Sequence, residues 1–225
     1  MSNSTTIRIK RNRPQRLFTK HNVREAWPYL MADFQERCAY SMQHISRASG
    51  PKNMQVDHFN PHLKKLYFQE YSNLFLATSH CNGSKRDRWP TNRDRREHQW
   101  RFLDCTKEPD YGLHILEDPD THEVVGVNNT GRYHVTSCDL NSPHFVEERK
   151  DRARYWNIIR SHTCSAENPP PPLLQAVIEV AEKMIPEIPY LSGEALEQRR
   201  AKRRERDAQF FQTSFAATPS GAKSS

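Results

Sequence analysis

Asn168-Pro169-Pro170-Pro171-Pro172 constrains the fold of this 225-residue chain more than any other feature. Consecutive prolines supply no backbone N–H, cannot continue a helix and favour a stiff, extended spacer. The chain is therefore expected to divide at this linker, with residues 1–167 before it and a helical region, 173–212, after it. Residues 173–185 carry helix-like apolar spacing, and residues 195–211 read as a second, strongly basic helix. Arg199, Arg200, Lys202, Arg203, Arg204 and Arg206 place six positive charges in eight residues. That pattern fits either a solvated helix face or a surface for nucleic acid or an acidic partner. The Ser/Ala/Gly-rich end, 213–225, reads as a disordered tail.

Ahead of the prolines, residues 1–37 combine a basic arm with an amphipathic helix. The arm, 7–16, has no apolar periodicity and is expected on a surface or on a partner. Trp27, Leu30, Met31 and Phe34 fall at i, i+3, i+4 and i+7, one face of a helix whose first turn tolerates Pro28. Residues 91–167 read as an accessory region. In it, strands at 113–116 and 122–127 flank the turn Asp118-Pro119-Asp120-Thr121, and Asn128-Asn129-Thr130-Gly131 turns into a third strand at 133–135. Ser142-Pro143 opens a helix running to about residue 160, which would bury Phe145, Val146, Ala153, Trp156 and Ile159.

Hydrophobic residues make up 35% of the chain and charged residues 27%, so the core is modest. Lys and Arg number 34 against 27 acids, a net charge of +7 that favours a polyanionic partner. The first fifteen residues lack the apolar stretch of a secretory signal. No run approaches the roughly 18 apolar residues of a spanning helix. A cytoplasmic protein with no membrane partner is the expectation. The five cysteines are odd in number and widely spaced, unlike a disulfide framework.

Chemistry concentrates in residues 38–90. Val56-Asp57-His58-Phe59-Asn60-Pro61 is followed by Tyr71-Ser72-Asn73-Leu74 and by His80-Cys81-Asn82-Gly83-Ser84-Lys85. Hydrolysis of a phosphodiester needs a base that works near neutral pH, which histidine supplies. It also needs charge stabilisation, which a hard cation on oxygen ligands supplies. Asp57 offers a carboxylate next to His58, and Asn82 an amide oxygen. An Asp-His pair alone is weak evidence in a chain with 11 histidines.

The spacing adds to the pair. His58, Asn73 and Asn82 lie 15 and 9 residues apart, and Pro61, Tyr71, Leu74 and Lys85 accompany them. This pattern resembles the HNH nuclease family. The resemblance implies an α+β fold: a ββα-metal HNH core with an N-terminal helix, a small β meander and C-terminal helices. It implies that His58 is the general base, that Asn73 braces the loop and orients His58, and that Asp57 and Asn82 hold Mg²⁺ or Mn²⁺. His80 could add a ligand or contact the phosphate. Lys85, with Arg86, Arg88 and Arg93 beyond it, would contact nucleic acid, DNA being the first expectation and RNA the alternative. Many HNH proteins carry a structural zinc on two Cys-x-x-Cys pairs. Here those elements read Cys38-Ala39-Tyr40-Ser41 and Thr78-Ser79-His80-Cys81, one cysteine each, so structural zinc is not expected. Cys-Ala-Tyr, Asp-His-Phe-x-Pro, Asp139-Leu140-Asn141 and the pair Arg149 and Arg152 also resemble PtuB-type nucleases. Those act with a PtuA-type ATPase in Septu and retron antiphage defence, which implies an ATPase partner. The competing expectation is a non-catalytic nucleic-acid-binding or adaptor protein on the same scaffold.

Overall fold

The computed structural model describes residues 9–12, 14, 16–107, 111–162 and 172–216. Its centre is the run Leu74-Phe75-Leu76-Ala77-Thr78, buried at every position. A strand covered on both faces reads as such an unbroken apolar stretch. In chain order, the elements leading to it are β1 (Phe18–Thr19), α1 (Trp27–Asp33), β2 (Met54–His58), β3 (Phe68–Gln69) and β4 (Leu74–Thr78). β2 and β4 pair antiparallel, with Met54 opposite Thr78 and His58 opposite Leu74. β1 and β3 form a second, two-residue pair. α2 (Ser79–Lys85) follows β4 directly, because the Thr78 hydroxyl accepts the Cys81 N–H and caps it. α3 (Asn92–His98) begins with a capping box between Thr91 and Asp94.

The expected amphipathic helix is α1. Leu30, Met31 and Phe34 are buried in the core, and Phe34 packs 5.4 Å from the Phe75 ring. Of the basic arm, expected on a surface or a partner, Lys10, Asn12 and Arg16 are exposed, whereas Ile9 and Arg11 pack on the chain itself; residues 7, 8, 13 and 15 lie outside the described residues. Ile9 is buried, and the Arg11 guanidinium lies over the Phe34, Tyr71 and Phe75 rings. Arg11 donates to the carbonyls of Tyr71, Ser72 and Leu74. Sequence periodicity missed this because the packing is made by an arginine over aromatic faces.

Downstream, β5 (Ile115–Glu117) and β6 (Val124–Gly126) form the expected hairpin around residues 118–121. The third strand does not form. Residues 129–137 are a helix, α4 (Asn129–Ser137), and Asn128 caps it by accepting the Gly131 N–H at 2.9 Å. Gly131 marks a close approach here: a Cβ on it would sit 1.8 Å from the His114 carbonyl oxygen.

α5 (Pro143–His162) starts where Ser142-Pro143 places it. Phe145 and Ile159 are buried as expected, whereas Val146, Ala153 and Trp156 are half-buried. Glu148, Arg149 and Arg152 occupy the rest of its inward face. Arg152 makes a two-pronged bond to Glu117 at 2.6 and 2.7 Å and donates to the carbonyls of Ile185 and Pro186. Arg149 donates to His122 O and Leu140 O.

α6 (Pro172–Glu182) and α7 (Gly193–Ala216) complete the order. The expected division at 168–172 is corrected. Residues 163–171 lie outside the described residues, and Pro172 opens α6. α6 packs on α5 through Leu174, Ala181 and Ile159. The segment after α6 is tied down by Arg37, which donates to Met184 O at 2.9 Å and to Glu182 O, and by Glu148, which accepts the Ile185 N–H. The chain therefore separates into units at 1–189 and 190–225. The second unit is α7, which carries the six-cation cluster and an Arg200–Glu197 pair at 2.7 Å. Its helical backbone continues through Ala216, into the expected tail, whose residues 217–225 lie outside the described residues. No described helix is long and apolar enough to cross a membrane.

Candidate active site

Asp57 and His58 end β2, Asn73 precedes β4, and Asn82 lies in the middle of α2. The strand pair and the helix after it place Asp57, His58 and Asn82 on one groove of about 870 Å³. Gln55, Arg24, Lys52, Lys64, Arg86 and Asp87 line it as well.

Asp57 is buried, and both of its bonds fall on Oδ2. The Tyr40 hydroxyl donates to that oxygen, and the Lys85 ammonium lies 3.0 Å from it. Oδ1 has no side-chain bond among the described residues, and Asp57 lines the groove. Burial pushes the Asp57 carboxyl above its usual range, and the Lys85 charge and the Tyr40 bond oppose that push. Lys85 is itself fully buried, donates to His58 O at 3.0 Å and sits near the Tyr40 and Phe102 rings. The expectation that Lys85 contacts nucleic acid is therefore corrected: its position on α2 points it into the core, where it holds the Asp57-His58 corner.

His58 is half-buried, and burial pulls its pKa below 6.5, favouring the neutral imidazole. Its Nε2 lies 2.6 Å from Gln69 Oε1. The Gln69 amide nitrogen donates to Leu66 O, which fixes the oxygen toward the histidine. An amide oxygen only accepts, so His58 Nε2 carries the proton and Nδ1 carries the lone pair. Gln69 is buried on β3 and was not singled out in the sequence. Its only sequence signal is a position two residues before the Tyr71-Ser72-Asn73 element.

Asn73 clamps the turn after His58. Its Oδ1 accepts the Asn60 N–H at 2.8 Å, its Nδ2 donates to Asn60 O at 3.1 Å, and its carbonyl accepts the Phe59 N–H at 2.9 Å. The Asn82 amide nitrogen donates to Gln55 Oε1 at 2.8 Å, which leaves its oxygen free to bind.

His80 does not join this group. It bonds to Asp139 at 3.0 Å and packs edge-to-face on His144 and Phe145, away from the groove lining. Of the expected basic contacts, only Arg86 lines the groove. Arg88 lines a neighbouring pocket with Ser84, Thr136 and Asp139, and Arg93 pairs with Glu97 on α3. Of the groove's other cations, Lys52 and Lys64 flank β2 in sequence, and Arg24 comes from the segment before α1.

Among the described residues, no three His, Cys, Asp or Glu side chains converge as a metal cage. An ion in the groove would draw on Asp57 Oδ1 and the Asn82 amide oxygen, with water completing its shell. That hard, sparse donor set fits Mg²⁺ or Mn²⁺. Cys38 and Cys81 are both buried, and the Thr78 hydroxyl lies 3.6 Å from Cys38 Sγ. The chain matches no protein-family model, no curated protein and no solved structure.

Proposed function

We propose that this chain is a divalent-metal-dependent phosphodiester hydrolase of the HNH type, acting on nucleic acid. The observation that carries this reading is the groove that gathers Asp57, His58 and Asn82, with His58 held through Nε2 by Gln69. In it, His58 Nδ1 takes a proton from the attacking water. Asn73 keeps the His58–Asn60 turn in place while that proton moves. Asp57 and Asn82 would hold a Mg²⁺ ion, which supplies charge stabilisation for the phosphate and the leaving oxygen. Lys85 and Tyr40 both hold Asp57 through Oδ2, so Oδ1 is the oxygen that would bind the ion. Arg24, Lys52, Lys64 and Arg86 give the groove a cationic wall suited to a phosphate backbone.

Cleavage of plasmid DNA and of RNA in Mg²⁺ tests this reading, with His58→Ala and Asn82→Ala beside wild type. Wild-type cleavage that both variants lose supports it. Equal cleavage by wild type and His58→Ala overturns it. One observation favours a second reading, a nucleic-acid-binding adaptor: the buried Lys85 already neutralises Asp57 and so competes with a cation there. Binding without cleavage in Mg²⁺ and Mn²⁺ alike would select the adaptor. The likeness to PtuB-type nucleases extends the proposal to antiphage defence with an ATPase partner, which co-purification with an ATPase encoded beside this gene would test.

A further inference from the structure

Residues 62–68, His-Leu-Lys-Lys-Leu-Tyr-Phe, are exposed at every position. Leu66, Tyr67 and Phe68 are 51%, 54% and 60% exposed. A contiguous exposed apolar patch marks a binding surface, whereas scattered apolar residues do not. This patch is also held in place at both ends. At its start Pro61 is buried, and Asn60 Oδ1 accepts the His62 N–H at 3.0 Å. At its end Tyr67 O accepts the Lys20 N–H at 3.0 Å, and Phe68 pairs with Thr19 across β3 and β1. The residue after Phe68 is Gln69, which bonds to His58.

Two features identify the occupant. The Tyr67 and Phe68 rings meet edge-to-face at 5.0 Å and 88°, His21 meets Tyr67 at 6.2 Å and 65°, and the exposed remainder of both rings is open for a flat partner to stack. Lys64 belongs both to this segment and to the wall of the groove, and Lys65 adds a second exposed cation. Aromatic faces interleaved with cations suit a polyanion whose bases are free to stack. Paired bases inside a duplex have no free face, so such a surface discriminates in favour of an unpaired strand. An apolar protein surface would gain nothing from lysines between the apolar side chains.

We propose that residues 62–68 form a platform for an unpaired nucleic-acid strand, whose bases stack on Tyr67 and Phe68 while Lys64 leads the backbone into the groove. The fate of the strand in the groove rests on the phosphodiesterase reading; the binding does not.

Fluorescence anisotropy of the full chain in EDTA reads binding with no cleavage. The probes are a fluorescein-labelled mixed-sequence DNA oligonucleotide, the same strand annealed to its complement, and the RNA strand of that sequence. Wild type should bind one or both single strands about tenfold or more tighter than the duplex. A Tyr67→Ala, Phe68→Ala double variant should lose about 5- to 100-fold on the single strand and little on the duplex. Tyr67→Phe, which keeps the ring, should bind like wild type. Thermal melts establish that each variant is folded, and Phe68→Ser alone is read in the same way if the double variant is not. Equal affinity for single strand and duplex overturns the proposal, as does a folded variant that binds the single strand like wild type. Binding to phosphatidylserine vesicles but to no oligonucleotide also overturns it, in favour of a membrane surface. A wild-type chain that binds single strands in EDTA yet cleaves nothing in Mg²⁺ upholds the platform and sinks the hydrolase.

Discussion

Lys85 and Gln69 divide the work at the corner that Asp57 and His58 form. Lys85 supplies a buried positive charge to one carboxylate oxygen, and Gln69 supplies a neutral acceptor to one imidazole nitrogen. Replacing Gln69 by Leu removes the acceptor and frees the histidine to change tautomer. Cleavage should fall about 10- to 100-fold, while Gln69→Glu, which can still accept from Nε2, should retain most of it. ¹⁵N shifts of the imidazole would report the tautomer directly, without metal or substrate. Lys85→Met leaves the Asp57 carboxylate buried without its cation. Removing one partner of a buried pair costs about 3–5 kcal/mol, so the melting temperature should drop sharply. His134 gives a pH prediction. It is fully buried, its Nδ1 accepts the Leu103 N–H at 3.1 Å, and burial pulls its pKa down to about 3. The unfolded chain therefore binds a proton that the folded chain refuses between pH about 6.5 and about 3. Stability from this group is complete above that window and is lost as the pH falls through it. Melting curves of wild type and His134→Gln should converge, and can cross, as the pH drops through the window. A constant gap would refute the assignment.

At the scale of elements, what could be read in the sequence was whatever is decided locally. α1 announces itself by apolar spacing and α5 by Ser142-Pro143. Asp57, His58, Asn73 and Asn82 were singled out by their likeness to a family pattern; that Asp57, His58 and Asn82 line one groove follows from the pairing of β2 with β4 and the direct run of β4 into α2. α4 was misread because Asn128 and Gly131 serve turns and helix starts alike. Only the neighbouring His114 carbonyl explains why position 131 must be glycine. Gly131→Ala should therefore destabilise the chain by several kcal/mol despite alanine's better helix propensity of about 1 kcal/mol. Denaturant melts would read the sign, and stabilisation would contradict the close approach. The inward-facing Arg149 and Arg152 were invisible to a hydrophobic pattern, since their partners are carbonyls and a carboxylate from other elements.

Over the whole molecule, long-range arginine bonds draw the boundary that prolines were expected to draw. Arg37 and Arg152 fasten residues 182–186 to the body, which carries the first unit past the proline run to residue 189. A chain ending at Pro189 should melt cooperatively near the wild-type temperature. One ending at residue 171 should melt several degrees lower, because both arginines lose the carbonyls at 182–186 that they hold. Matching melting temperatures for the two truncations would contradict the clamp.

The same clamp sets a timetable for synthesis. Arg37 directly precedes Cys38-Ala39-Tyr40, the segment whose tyrosine grips Asp57, and its acceptors at 182 and 184 leave the ribosome roughly a hundred residues after Lys85. At about 5–20 residues per second, the groove waits about 5–20 s for its last fastening. A nascent chain stalled in that interval would hold every residue of the candidate site and lack the anchor behind it.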